Sequence, residues 1–187
     1  MKTRLCRYLR PLATSLALGL TAAALGAEES THYYLGQTMA FSPEGKQYGP
    51  SLNLYKRVLK PADNVIEETI TAVDPMLPSQ QQTLVFGVDG AKLSIKSAAG
   101  VESCTGELTG AAWEWTAWKY EFVLNGRTKG TLKAEVKAAG DHFTSVKTFF
   151  TPEGTQKATF KEDLMPINKD TYEILAKKLQ PPPSLKP

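Results

Sequence analysis

Few side chains in this sequence are equipped for acid–base or nucleophilic chemistry. The imidazoles are His32 and His142, and neither has a partner at the His-x-x-x-His spacing by which a helix offers two ligands to a metal. His142 alternates in phase with Thr144, Val146, Thr148 and Phe150, which predicts that it faces inward. Ser103 precedes Cys104 but stands in no Gly-x-Ser-x-Gly elbow. Gly87 to Gly90 reads as a hairpin, not as a glycine-rich turn that opens a helix and cradles phosphate. No metal or cofactor is implied. Among the carboxylates, Glu67 and Glu68 are adjacent in a run where Ile66, Glu68, Ile70 and Ala72 share one face and Val65, Glu67, Thr69, Thr71 and Val73 the other. One of the two glutamates therefore points inward, where it pairs with Lys56 or Arg57 or orients the polar end of a ligand. Catalysis would require His142, Glu68 and Cys104 to converge in one cleft.

Aromatic surface is more abundant. Ala112 to Leu124 holds all three tryptophans together with Tyr120 and Phe122. Alternation puts Trp113, Trp115 and Ala117 on one face; from Trp118 the phase slips by one, and Trp118, Tyr120, Phe122 and Leu124 form the apolar set. A one-residue bulge between Thr116 and Trp118 returns every ring to one side. Tryptophan and tyrosine combine a large apolar area with a polar edge, which suits a ligand pocket, a packed core, or a cover for a helix. The candidate binding residues are Trp113, Trp115, Trp118, Tyr120 and Phe122, joined by Glu68 and His142.

The element that positions the rings is a hairpin. Asn125-Gly126 offers the positive backbone angles of a type I′ turn, and Arg127 to Lys137 then alternates cleanly. Similar strands are expected over Leu52 to Leu59, Asn64 to Val73, Gln82 to Val88, Ala91 to Ser97, Val101 to Leu108, Asp141 to Phe150 and Thr155 to Glu162, with a second type I′ signal at Asp89-Gly90. Met76 to Gln82 is a polar loop. Residues 28–51 are punctuated by Gly36, Pro43, Gly45 and Gly49-Pro50 and read as a loop or lead-in, with His32 to Leu35 as a short strand or a flap. Asp170 and Glu173 fit a capping box opening a helix that ends at Leu179, with Lys177 and Lys178 in its last turn. This helix packs on the wall or plugs one end. The proline-rich tail, residues 180–187, stops it.

Short hairpins without a helical period predict an all-β fold, an antiparallel up-and-down barrel of about eight to nine strands with a short C-terminal helix over residues 52–179. A two-sheet sandwich is the other solution; it usually needs long crossover connections, and only the loop over Asp74 to Gln81 offers one, which favours the barrel.

Composition narrows the setting. Lys2, Arg4, Arg7 and Arg10 precede the apolar run Leu12 to Leu25 and the small residues Gly26-Ala27, the pattern of a signal peptide over residues 1–27. Its removal turns a net charge of +3 into −1, so nothing in the charge calls for nucleic acid. The remaining 160 residues suffice for one core-bearing domain. No membrane span is expected after cleavage, and the location is periplasmic or secreted. Cys104 is then a lone thiol, buried and inert or else reactive.

A signal peptide, hairpins at Asp89-Gly90 and Asn125-Gly126, and a C-terminal helix resemble the calycin architecture of lipocalins and related small bacterial barrels. The resemblance covers Leu52 to Leu179 and is one of organisation; no tryptophan precedes Trp113 to supply the lipocalin Gly-x-Trp signature. It implies an internal cavity for a small apolar ligand. The expected function is a periplasmic or secreted binding protein for such a ligand. The alternative is an envelope structural or interaction module with a filled barrel, which meets a partner protein through its outer surface.

Overall fold

A computed structural model of the chain describes residues 27–73 and 81–178. The signal peptide up to residue 26, the proline-rich tail and most of the Met76 to Gln82 loop lie outside the described residues. The strands are β1 (Ser30–Phe41), β2 (Gln47–Lys60), β3 (Val65–Val73), β4 (Gln81–Asp89), β5 (Lys92–Ala98), β6 (Val101–Ala111), β7 (Glu114–Asn125), β8 (Lys129–Ala139), β9 (His142–Phe150) and β10 (Gln156–Ile167), followed by the helix α1 (Lys169–Lys178). Every strand pairs antiparallel with its sequence neighbours, and β1 pairs with β10 to close a ten-stranded barrel. Closure gives every strand a neighbour on both sides.

The strand beyond the expected eight to nine is β1, formed by the segment read as a lead-in. It lies between β2 and β10, with Tyr34 opposite Tyr55 on one side and Pro166 on the other. Its inward set of His32, Tyr34, Gly36 and Thr38 is not an apolar alternation, so the periodicity is weak. Gly36 is small for a reason: a Cβ there would stand 2.7 Å from the Tyr55 ring.

In β7, Thr109 opposes Ala117 while Gly110 opposes Trp115, so Thr116 is the unpaired residue of a bulge. The bulge restores the phase, and Trp115, Trp118, Tyr120, Phe122 and Leu124 all face inward. Trp113 is not in the strand. It sits in the two-residue turn after Ala111 at a positive φ of 66°, an outlying backbone for a bulky residue.

The turns differ in detail from the type I′ expectation. Asn125 pairs with Lys129, so three residues, Gly126 to Thr128, close that hairpin, and neither Asn125 nor Gly126 has positive φ. At the other hairpin Asp89 pairs with Lys92, leaving Gly90-Ala91 as the central residues, of which only Gly90 is at positive φ. That requirement belongs to the type II′ turn.

Helix α1 starts earlier than Asp170. Asn168 is its N-cap: its carbonyl accepts from the Tyr172 N–H at 3.0 Å, and its Oδ1 from the Thr171 N–H at 2.8 Å. The helix lies outside the barrel, with Tyr172 against Tyr33 of β1 at 4.8 Å. It packs on the wall instead of plugging an end.

Candidate functional site

Ten strands enclose more space than eight, and side chains fill only part of it. Around Phe86 the core is apolar, built from Ile66, Leu84, Val88, Leu93, Cys104, Leu108 and Phe122. Across the middle runs a polar partition. Glu162 of β10, 4% exposed, accepts from Thr38 Oγ1 at 2.9 Å, from the Tyr55 hydroxyl, and from Lys147 Nζ at 2.8 Å. Burial opposes the charge of Glu162, but Lys147 and these donors outweigh it and hold its carboxyl below the ordinary range. The same burial works against Lys147, yet the surrounding Tyr55, Tyr120 and Glu162 raise it well above the usual lysine value.

At the end of the barrel that holds the start of β1 and the Ala112-Trp113 turn, a cavity of about 380 Å³ remains. Trp113, Trp115, Trp118, Tyr120 and Phe143 wall it on one side, Leu59, Ile66, Phe86, Leu93 and Leu108 on the other. Trp113 and Trp115 meet at 4.9 Å near the mouth. The polar groups are His32 and Glu114 together with Arg57, Glu68 and Tyr34.

Arg57 and Glu68 are register partners on β2 and β3. Arg57 donates through Nε at 2.7 Å and through Nη2 to the same oxygen of Glu68, and the side chains are only 10% and 13% exposed. Trp118 lies 4.6 Å and Tyr34 5.3 Å from the guanidinium, a position in which the ring faces favour the cation. Burial works against the charge of Arg57, and Glu68 together with Tyr34 and Tyr120 more than offsets it, so the guanidinium pKa is raised. Glu67 points outward and takes Lys60 at 2.7 Å. Burial and the Arg57 charge lower the His32 pKa, so near pH 7 that imidazole is neutral.

Of the residues singled out from sequence, Trp113, Trp115, Trp118, Tyr120 and Glu68 line this cavity. Phe122 does not. It is 4% exposed in the core, stacked on Phe86 at 5.9 Å. Nor does His142, which faces outward with Nδ1 3.2 Å from Asp141 and Nε2 3.8 Å from Asp163. Phase misled because the inward set of β9 is Phe143, Ser145, Lys147 and Phe149: the partition places a lysine and a serine inside, so the more apolar-looking alternation is the outer one. Arg57 was named only as one possible partner of Glu68; its part in the floor, like those of His32, Tyr34 and Phe143, comes from strands far apart in sequence.

The three groups that would have to converge for catalysis do not. Cys104 is buried opposite Phe122, and burial pushes its thiol up to about 11. Among the described residues no cluster of three or more His, Cys, Asp or Glu is placed to hold a metal ion, and no helix is long and apolar enough to cross a membrane. The outer wall over β5 to β8 carries Lys92, Glu107, Lys119 and Glu135 in one cross-strand row, alternating charges that keep this face solvated.

No protein-family model matches the chain, and no curated protein does. Among solved structures it aligns with the dehydratase domain from the CurJ module of curacin polyketide synthase at 10% identity, covering 82% of this chain and 79% of that one with a TM-score of 0.22. An inactive mutant of the CurJ dehydratase, in complex with Compound 21, aligns at the same identity and TM-score over 81% and 80%. A likeness this weak carries no argument.

Proposed function

We propose that this chain is an exported, periplasmic or secreted binding protein that holds a small, largely aromatic or apolar molecule in one end of its barrel. The observation that carries the reading is the 380 Å³ cavity walled by Trp113, Trp115, Trp118 and Tyr120 over an Arg57–Glu68 floor. Its size and its mix of many apolar walls with a few convergent polar groups are those of small-molecule sites. Among the described lining residues Glu68 and Glu114 outnumber the cation Arg57 and leave the lining net negative, with His32 neutral, so the favoured ligand is neutral or cationic. The polar floor turns the ligand's hydrogen-bonding end inward and leaves its apolar body between the tryptophans. A closed meander with a helix outside is the organisation of a calycin-like carrier, although ten strands exceed the eight of lipocalins. The Lys2-to-Ala27 leader supports export.

The alternative, an envelope interaction module, draws less support. Among the described residues the exposed large hydrophobics are Tyr48 and Leu52 on β2, Val123 on β7, Val146 on β9, Met165 on β10 and Ile174 on α1, a scatter over five elements, and isolated exposed hydrophobics are ordinary.

The test begins with native mass spectrometry of the protein purified from its producing cells, with organic extraction of whatever it carries. A reproducible mass above the apo protein supports a carrier and gives its ligand class. Trp115→Ala should then weaken binding about tenfold or more with an unchanged far-UV circular dichroism spectrum. An apo mass, together with tryptophan fluorescence indifferent to lipids and to neutral and cationic aromatic probes, would remove the reading.

A further inference from the structure

We propose that the opposite end of the barrel is a second binding site, of opposite charge preference, that takes a short anionic amphiphile. A separate chamber of about 350 Å³ lies there, beneath the Ala99-Gly100 turn and the Gly126 to Thr128 loop. Ile70, Leu84, Phe122 and Leu124 give it apolar walls, and its charged lining residues are Lys147 and Arg127. Among the described residues no carboxylate lines it. Tyr120 lines both hollows.

Lys147 is the anchor. An ammonium carries three donors, and among the described residues its Nζ spends one of them, on Glu162. Glu162 is itself satisfied by Thr38 and Tyr55 as well as by Lys147, so it remains an anion behind the chamber. Among the described residues Lys147 and Arg127, set against the Glu162 partner of Lys147, sum to one positive charge, which a monoanionic head neutralises while its apolar body covers Phe122 and Leu124. The other hollow, with Glu68 and Glu114, repels the same ligand.

A way in is also built. Strands β5 and β6 are paired only where Lys92, Leu93 and Ser94 meet Glu107, Gly106 and Thr105. Beyond that, β5 stays with β4 through Ala98 and β6 with β7 through Val101, so the β5–β6 ladder stops short of the turn beside the chamber, and this is where a ligand would pass.

The experiment is a titration of the full chain with sodium octanoate, followed by amide and indole chemical shifts, with 1-octanol as the uncharged control. Octanoate should shift the amides of Val101, Leu124, Gly126 and Thr128, leave the Trp113 and Trp115 indoles in place, and bind about tenfold more tightly than 1-octanol. Lys147→Met alone would strand Glu162, so the paired change Lys147→Met with Glu162→Gln removes the charge without an orphan. With its fold confirmed by far-UV circular dichroism, it should bind octanoate about tenfold more weakly, and Arg127→Gln should weaken binding about fivefold. Equal binding of octanol, shifts confined to the tryptophan end, no shifts at millimolar octanoate, or unchanged affinity in the paired variant would each overturn the proposal.

Discussion

Replacing Glu68 by leucine asks what holds a guanidinium inside the barrel. Arg57 is 10% exposed at its side chain and sends both Nε and Nη2 to one oxygen of Glu68. Breaking a buried pair by removing one partner costs ~3–5 kcal/mol, because the remaining charge is left without its counterion. The Trp118 face, 4.6 Å away, still favours the cation by ~1 kcal/mol, and the pair is not wholly dry. The expected loss for Glu68→Leu is therefore about 3 kcal/mol, or a fall in Tm of roughly 6–12 °C for a domain of this size. Arg57→Met combined with Glu68→Leu removes both charges and should lie within about 1 kcal/mol of the original protein. Urea titrations followed by far-UV circular dichroism suit this cycle, since Trp118 fluorescence would report the loss of Arg57 itself. The coupling energy should be about 2 kcal/mol or more. A Glu68→Leu variant as stable as the original, or a double variant that loses the sum of both singles, would refute the pairing as the reason Arg57 is tolerated inside.

Three further outcomes are expected. Gly130→Ala places a Cβ 2.1 Å from the Phe150 carbonyl oxygen at a φ of +141° and should cost ~3 kcal/mol or more in urea titrations. Gly140→Ala, at φ +69° with nothing within 4 Å, serves as a control at ~1–2 kcal/mol. Because Glu162 has a lowered folded-state pKa, its contribution is present above the unfolded carboxyl value near ~4.3 and is lost as pH falls through the folded value; Glu162→Gln should flatten the stability curve there, and a curve of unchanged slope would count against the Lys147 pair. Cys104, buried and with its thiol near 11, should be alkylated by iodoacetamide at pH 8 about two orders of magnitude more slowly than free cysteine, and a rate like that of free cysteine would mean an exposed thiol.

How far the site was legible depended on whether its signal was local. The Thr116 bulge was legible because two apolar phases collide within one strand, and only an extra residue reconciles them. Glu68 was legible as one of an adjacent pair, since one of two neighbours on a strand must face inward. His142 was misjudged because alternation assumes an apolar interior, and β9 carries Ser145 and Lys147 inside to meet β10. Phe122 shares a face with the tryptophans but lies deeper along the strand, where Phe86 from β4 occupies the space beside it. Its depth depends on how strands are staggered around the barrel.

Local pattern alone therefore determined the antiparallel meander, the face on which β7 carries its rings, and the presence of a helix after the last strand. Those properties follow from interactions within a strand, a turn or a helix end. Only the tertiary structure decided that β1 completes the wall between β2 and β10, that α1 lies outside it, and that Arg57 of β2 meets Trp118 of β7 while Lys147 of β9 meets Glu162 of β10. Barrel closure and strand stagger set the depth of every inward residue, and with it which of them line a hollow and which fill the core between.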